Sequence, residues 1–106
     1  MMPQIAPLFI PLKREYYAAF NSGLKTEEFR PYGLRWNERT CWIGRSVILS
    51  LGYGRQARRV GEVIGFRIVQ DVGSLPGWVA CYGDRKGQAA AIRINLSQMI
   101  HSSITG

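Results

Sequence analysis

Residues 23–30 read "GLKTEEFR" and gather Lys25, Glu28 and Arg30 into one short stretch. Those residue types at that spacing suit recognition of a polar, anionic ligand. An arginine guanidinium presents a planar fork of donors that matches phosphate oxygens in pairs. A carboxylate beside it can pair with it. On an ideal strand side chains alternate, so Thr26, Glu28 and Arg30 share one face and Lys25, Glu27 and Phe29 the other. Phe29 is the expected core residue, with Glu28 and Arg30 paired on the opposite face. Lys25 sits in the turn before the strand, outside that alternation, and can swing toward Glu28. From the residues alone the stretch reads in two ways. It is a ligand site, or a solvated strand face whose ion pair contributes about 0–1 kcal/mol.

A second group of residues suits nucleic acid. Arg35, Arg39 and Arg45 fall in one loop-like segment, and Arg55, Arg58 and Arg59 in another, "GYGRQARR". Trp36, Trp42 and Tyr53 are interleaved with them. Rings that stack on bases, beside cations that meet phosphates, are the usual means of holding single strands. Of the two tryptophans, Trp42 beside Cys41 and Ile43 is expected in the core, and Trp36 beside Arg35 and Asn37 on the surface. Tyr53 lies between two glycines, where backbone can approach a ligand closely; a ring packed on a turn is the alternative. "GYGRQ" lacks the lysine–serine ending of a phosphate-binding P-loop.

Composition narrows the class. The chain has 106 residues, 46% hydrophobic and 20% charged, which fits one ordered domain. The net charge is +7, and of the cations eleven are arginine and three lysine. A basic, arginine-rich small domain is a candidate for nucleic acid, although basic loops can equally meet an acidic protein. Cys41 and Cys81 form no Cys-x-x-Cys pair, and the one histidine, His101, lies in a polar tail. No metal or cofactor is expected, and both thiols are expected as small core residues. No apolar run is long enough to cross a bilayer, and prolines interrupt the apolar N-terminus. The default expectation is a cytoplasmic protein with no membrane contact.

The pattern along the chain places these residues. A short strand is expected over 8–12. Pro11 then suits a first helical turn, and Leu12, Tyr16 and Phe20 at every fourth position mark a helix to about Asn21, stopped by Gly23. Strands follow at 26–30 and 47–51, separated by an irregular excursion over 31–45 with room for short helices. Residues 60–72 alternate as one long strand, twisted or bulged at its glycines. A short strand at Trp78–Tyr82 and a last one at 89–96 complete a small β-barrel with a helix against it.

The spacing Gly23, Lys25, Glu28, Arg30 has the form G-x-K-x-x-E-x-R and resembles the signature of the ASCH domain family. The order of elements is similar too, from "IPL" through the helix "KREYYAAFNSG" and the motif strand to "LSLGYG". The resemblance covers residues 8–96, nearly all of a single domain spanning 1–106. It implies an α+β, mainly β fold: a small PUA-like β-barrel with one N-terminal helix and short additional helices. It also implies a cleft lined by Lys25, Glu28 and Arg30, with RNA, another single-stranded nucleic acid or a nucleotide as partner: Lys25 and Arg30 for phosphate or a base carbonyl, Glu28 for an exocyclic amine or to fix the two cations. Some members of the family are enzymes. In acetylcytidine amidohydrolases a threonine nucleophile stands at the motif's glutamate position. This chain has Glu28 there, with Thr26 two residues earlier and Glu62 as a candidate for a later assisting glutamate. Relatives described as ribonucleases use lysine, tyrosine and serine; Lys25, Arg30 and Tyr53 could provide such a set here, and for an enzyme of either kind the catalytic candidates are Lys25, Glu28 and Tyr53. The resemblance thus leaves a binding domain and an enzyme both open, beside a small basic interaction module.

Overall fold

The computed structural model describes residues 6–85 and 87–97. His101 and the expected polar tail lie outside them. The elements run β1 (Leu8–Leu12), α1 (Arg14–Ser22), β2 (Glu27–Pro31), β3 (Ser46–Leu51), β4 (Arg58–Val69), α2 (Trp78–Tyr82) and β5 (Ala89–Leu96), with a 3-10 turn at Val72–Ser74. The fold is α+β and mainly strands. Its one sheet has five strands in the order β1-β3-β4-β5-β2 and curls into a half-barrel. β1 runs parallel to β3, and every other neighbour is antiparallel. Among the described residues no helix is long and apolar enough to cross a membrane.

Strand alternation builds the core. Leu8, Ile10 and Leu12 of β1 and Val47 and Leu49 of β3 face inward, with Val63 of β4 and Ala90, Ile92 and Ile94 of β5. Tyr16, Tyr17 and Phe20 of α1 pack on this cluster, so the helix lies against the core by the face its four-residue spacing defines. The helix starts later than expected, at Arg14. Pro11 and Leu12 belong to β1, because parallel pairing with β3 continues to Leu12 opposite Leu51. Gly23 closes the helix in the left-handed conformation, as its position suggests.

β4 begins and ends slightly earlier than expected and carries the anticipated bulge, a register shift between Val63 and Gly65. The extra residue reverses the alternation. Val60, Glu62 and Ile64 point outward, whereas Phe66 packs on the core.

Trp78–Tyr82 is a helical turn, not a strand. Gly77 and Gly83, both with positive φ, confine it to one turn. Helical spacing brings Trp78 over Tyr82, with ring centroids 4.6 Å apart, and the Trp78 indole N–H donates to the Arg85 carbonyl. Gly77 is needed on steric grounds as well, since a Cβ there would sit 2.7 Å from Tyr16 Oη. Trp78, Val72 and Ala89 form a second, smaller cluster with Phe29, Val69, Leu75 and Tyr82.

Phe29 therefore packs in the small cluster, and the inward face of β2 belongs to the charged residues. Glu28 stands opposite Ile92 and Arg30 opposite Ala90, both members of the main core. The expectation that Phe29 enters the core while Glu28 and Arg30 face away is reversed. Both faces of β2 are covered, so alternation alone could not tell which is which. Beside the small cluster, Glu27 accepts two hydrogen bonds from Arg67 across β5, at 2.9 and 3.0 Å. That pairing, opposed by partial burial, lowers the Glu27 pKa. A carboxyl lowered on folding stabilises the protein above its unfolded pKa and loses that contribution as pH falls through the folded value. Arg67 is more than half exposed, so the effect is about 0.5 kcal/mol. Comparing Tm at neutral and acid pH should show a slightly smaller acid drop for Glu27→Gln than for the wild type; equal or larger acid sensitivity would contradict this.

Candidate ligand-binding site

Two elements bring the charged residues together. The last turn of α1 and Gly23 reverse the chain, and the Lys25 amide donates to the Ala19 carbonyl at 3.1 Å. β2 then starts at once, presenting Glu28 and Arg30 on its inward face. The Glu28 carboxylate, only 7% exposed, is shared: Arg30 Nε donates to Oε2 at 2.8 Å and Lys25 Nζ lies 3.5 Å from Oε1. The three charged groups pair with one another as expected, and of the three only Lys25 lines the neighbouring concavities.

Their partners differ. The Arg30 guanidinium also donates to the Pro11 carbonyl at 2.6 Å and lies 5.0 Å from the centre of the Trp36 ring. Pro11 is on β1 and Arg30 on β2, the two edge strands of the sheet. Arg30 therefore ties the open sides of the half-barrel together, and much of its donor capacity is used within the fold. Lys25 makes only the long contact with Glu28; among the described residues its ammonium donates no closer hydrogen bond. It lies instead 4.9–5.6 Å from the ring centres of Phe29, Phe20 and Tyr16.

Lys25 also stands where three concavities meet. One is a groove of about 350 Å³ walled by Tyr16, Leu24, Thr26, Glu27, Phe29 and Pro76. A second, of about 330 Å³, runs past Asn21, Gly23, Arg59 and Ile94. The third is a narrow cleft of about 20 Å³, roughly one water wide, between Tyr16, Trp78, Cys81 and Tyr82. Burial pushes the Tyr16 and Tyr82 phenols above their usual range; the neighbouring Cys81 adds to both shifts, while Arg30 opposes that of Tyr82. Both phenols therefore stay protonated at neutral pH and can donate to a ligand. Sequence reading missed Tyr16, Trp78 and Tyr82 as site residues. The helical spacing of Tyr16 was a signal, but it pointed to the core.

The basic segments do not join this site as one surface. Trp36 is 7% exposed, in the main core, whereas Trp42 is 38% exposed with the Arg45 guanidinium 4.7 Å from its ring. The expected roles of the two are exchanged. The cause is a compact loop: the Asn37 amide donates to Thr40 Oγ1, and the Thr40 amide donates back to Asn37 Oδ1. Arg35 stacks 5.3 Å from Trp36 and is exposed, as is Arg39. Arg45 is held by the carbonyls of Ala6 and Thr40. Of the basic residues expected to meet nucleic acid, Arg59 alone lines a concavity shared with Lys25, where it donates to Asn21 Oδ1 and the Ser97 carbonyl. Arg55 and Arg58 lie elsewhere, and Tyr53 packs against Phe9, outside the concavities that Lys25 lines. Cys41 is buried, and burial raises its pKa; Cys81 is exposed, against expectation, on the short helix beside the cleft.

No family model matches the chain, and no curated protein matches it.

Proposed function

We propose that this protein is an RNA- or nucleotide-binding domain of the ASCH type, a PUA-like barrel acting in the cytoplasm, with its ligand cleft around Lys25, Glu28 and Arg30. The observation that carries this reading is the state of Lys25. Its ammonium is mostly buried, balanced by Glu28 at 3.5 Å and backed by three aromatic rings, yet it opens on a groove of about 350 Å³. Donors left over there suit a phosphate oxygen or a base carbonyl. Tyr16 and Phe29 offer ring surface for a base, and the groove is near the lower end of ligand-pocket sizes, roughly 300–1,000 Å³. Glu28 sets the charge and the position of Lys25, and Arg30 holds Glu28.

Binding is favoured over catalysis by the same geometry. The Glu28 carboxylate is engaged by both cations and stands where an amidohydrolase of this type has its threonine. Tyr53, the proton donor a ribonuclease reading needs, makes no contact with Lys25.

Titrating uridine and cytidine monophosphates at low salt tests the proposal. Saturable binding is expected, weakened about 10-fold or more by Lys25→Ala, since a charge-assisted hydrogen bond contributes about 1.5–3 kcal/mol. Lys25→Arg is expected to lose less. Wild-type protein that binds neither nucleotide, or Lys25→Ala protein that binds them equally well, would refute it.

A further inference from the structure

The loop 52–57 between β3 and β4 folds back over the outer side of the sheet. The Gly54 carbonyl accepts hydrogen bonds from Ser50 Oγ and Arg58 Nε, both at 3.2 Å, and this draws the loop down onto that side. Tyr53 is thereby set against Phe9, with ring centroids 6.2 Å apart and planes inclined by 39°. The Arg58 guanidinium lies 5.1 Å from the Phe9 ring. Phe9, Ile48 and Val60 form one row in register across β1, β3 and β4, all pointing outward. Tyr53 is 81% exposed and Val60 54%. Two adjacent rings, an apolar strip and a guanidinium thus face solvent together, with Arg55 exposed on the same loop.

We propose that this face is a stacking platform for single-stranded nucleic acid, separate from the Lys25 cleft. Packing gives no reason for Tyr53, since its ring buries little. Stacking does, because every base has an aromatic face and open rings accept bases without regard to sequence. Charge selects the occupant: Arg58 against Phe9 and Arg55 on the loop are the cations here, and residues 52–59 carry no acid, on a chain of net charge +7. Glu62, two residues beyond Val60 on the same side, ends the favourable stretch. The platform does not depend on the cleft being occupied.

The test is fluorescence anisotropy with a labelled uridine oligomer about ten nucleotides long, within the length one such surface covers. Tyr53→Ala is expected to weaken binding about 10-fold, Tyr53→Phe to leave it nearly unchanged, and Arg55→Ala to make the salt dependence shallower by about one counterion. Tyr53→Ala is expected to cost the same factor in a Lys25→Ala background. If the oligomer binds and depends on Tyr53 while mononucleotides fail to bind, the cleft reading fails and the platform stands. Three results would overturn the platform: wild-type protein that does not bind the oligomer, Tyr53→Ala protein of unchanged Tm that binds it like wild type, or equally tight binding of an oligoglutamate of similar length.

Discussion

Replacing Glu28 by alanine is expected to destabilise the protein by about 2–3 kcal/mol, a fall in Tm of roughly 10–20 °C for a domain of this size. The carboxylate lies on the inward face of β2 and is the anion shared by Lys25 and Arg30. Without it two cations remain close together, with side chains only 15% and 16% exposed. Stranding a buried charge costs about 3–5 kcal/mol when desolvation is complete. The lower figure here reflects the solvent that still reaches both cations, and the Pro11 carbonyl that Arg30 keeps. Glu28→Gln preserves size and one acceptor for Arg30 Nε, and should lose about half as much. The measurement is thermal unfolding followed by circular dichroism. A Tm change of a degree or two for Glu28→Ala would mean that the triad is a solvated ion pair after all, the weaker of the two readings the sequence allows.

The second large effect is expected at Trp36. Trp36→Ala should cost about 3–5 kcal/mol, as truncation of a buried tryptophan does. The ring is part of the main core, and the guanidinium groups of Arg30 and Arg35 lie 5.0 and 5.3 Å from its centre. Trp42→Ala, by contrast, should lose about 1 kcal/mol or less, because that ring is partly in solvent and its main partner is Arg45. Urea unfolding of the two variants side by side decides the matter. Equal destabilisation, or a larger loss at Trp42, would contradict the assignment of Trp36 to the core.

These two variants also mark what could be read from the sequence. β5 was legible to the residue, because Ile92, Ile94 and Leu96 alternate with Arg93 and Asn95 after an apolar run that starts at a turn signal. The convergence of Lys25, Glu28 and Arg30 was legible from spacing and the preceding helix stop. The side of β2 on which they meet was not, since Phe29 has its own small cluster and both faces of the strand are covered. Trp36 and Trp42 were exchanged because their immediate neighbours suggest the opposite burial. The deciding signal was the pair Asn37 and Thr40, whose reciprocal hydrogen bonds shape the loop. Trp78–Tyr82 reads as a strand in the sequence because five apolar-rich residues carry no clear period.

The order of strands has a consequence for synthesis of the chain. β1 and β2 are close in sequence yet occupy opposite edges, and each pairs only with a later strand, β3 or β5. The middle of the sheet is a simple antiparallel meander of β3, β4 and β5. As the polypeptide leaves the ribosome its first third has nothing to pair with, and β2 must wait for almost the last residues of the domain to emerge. Nascent chains stalled before Ala89 should therefore keep β2 open to protease, and its protection should arise late, when β5 supplies the partner it lacks.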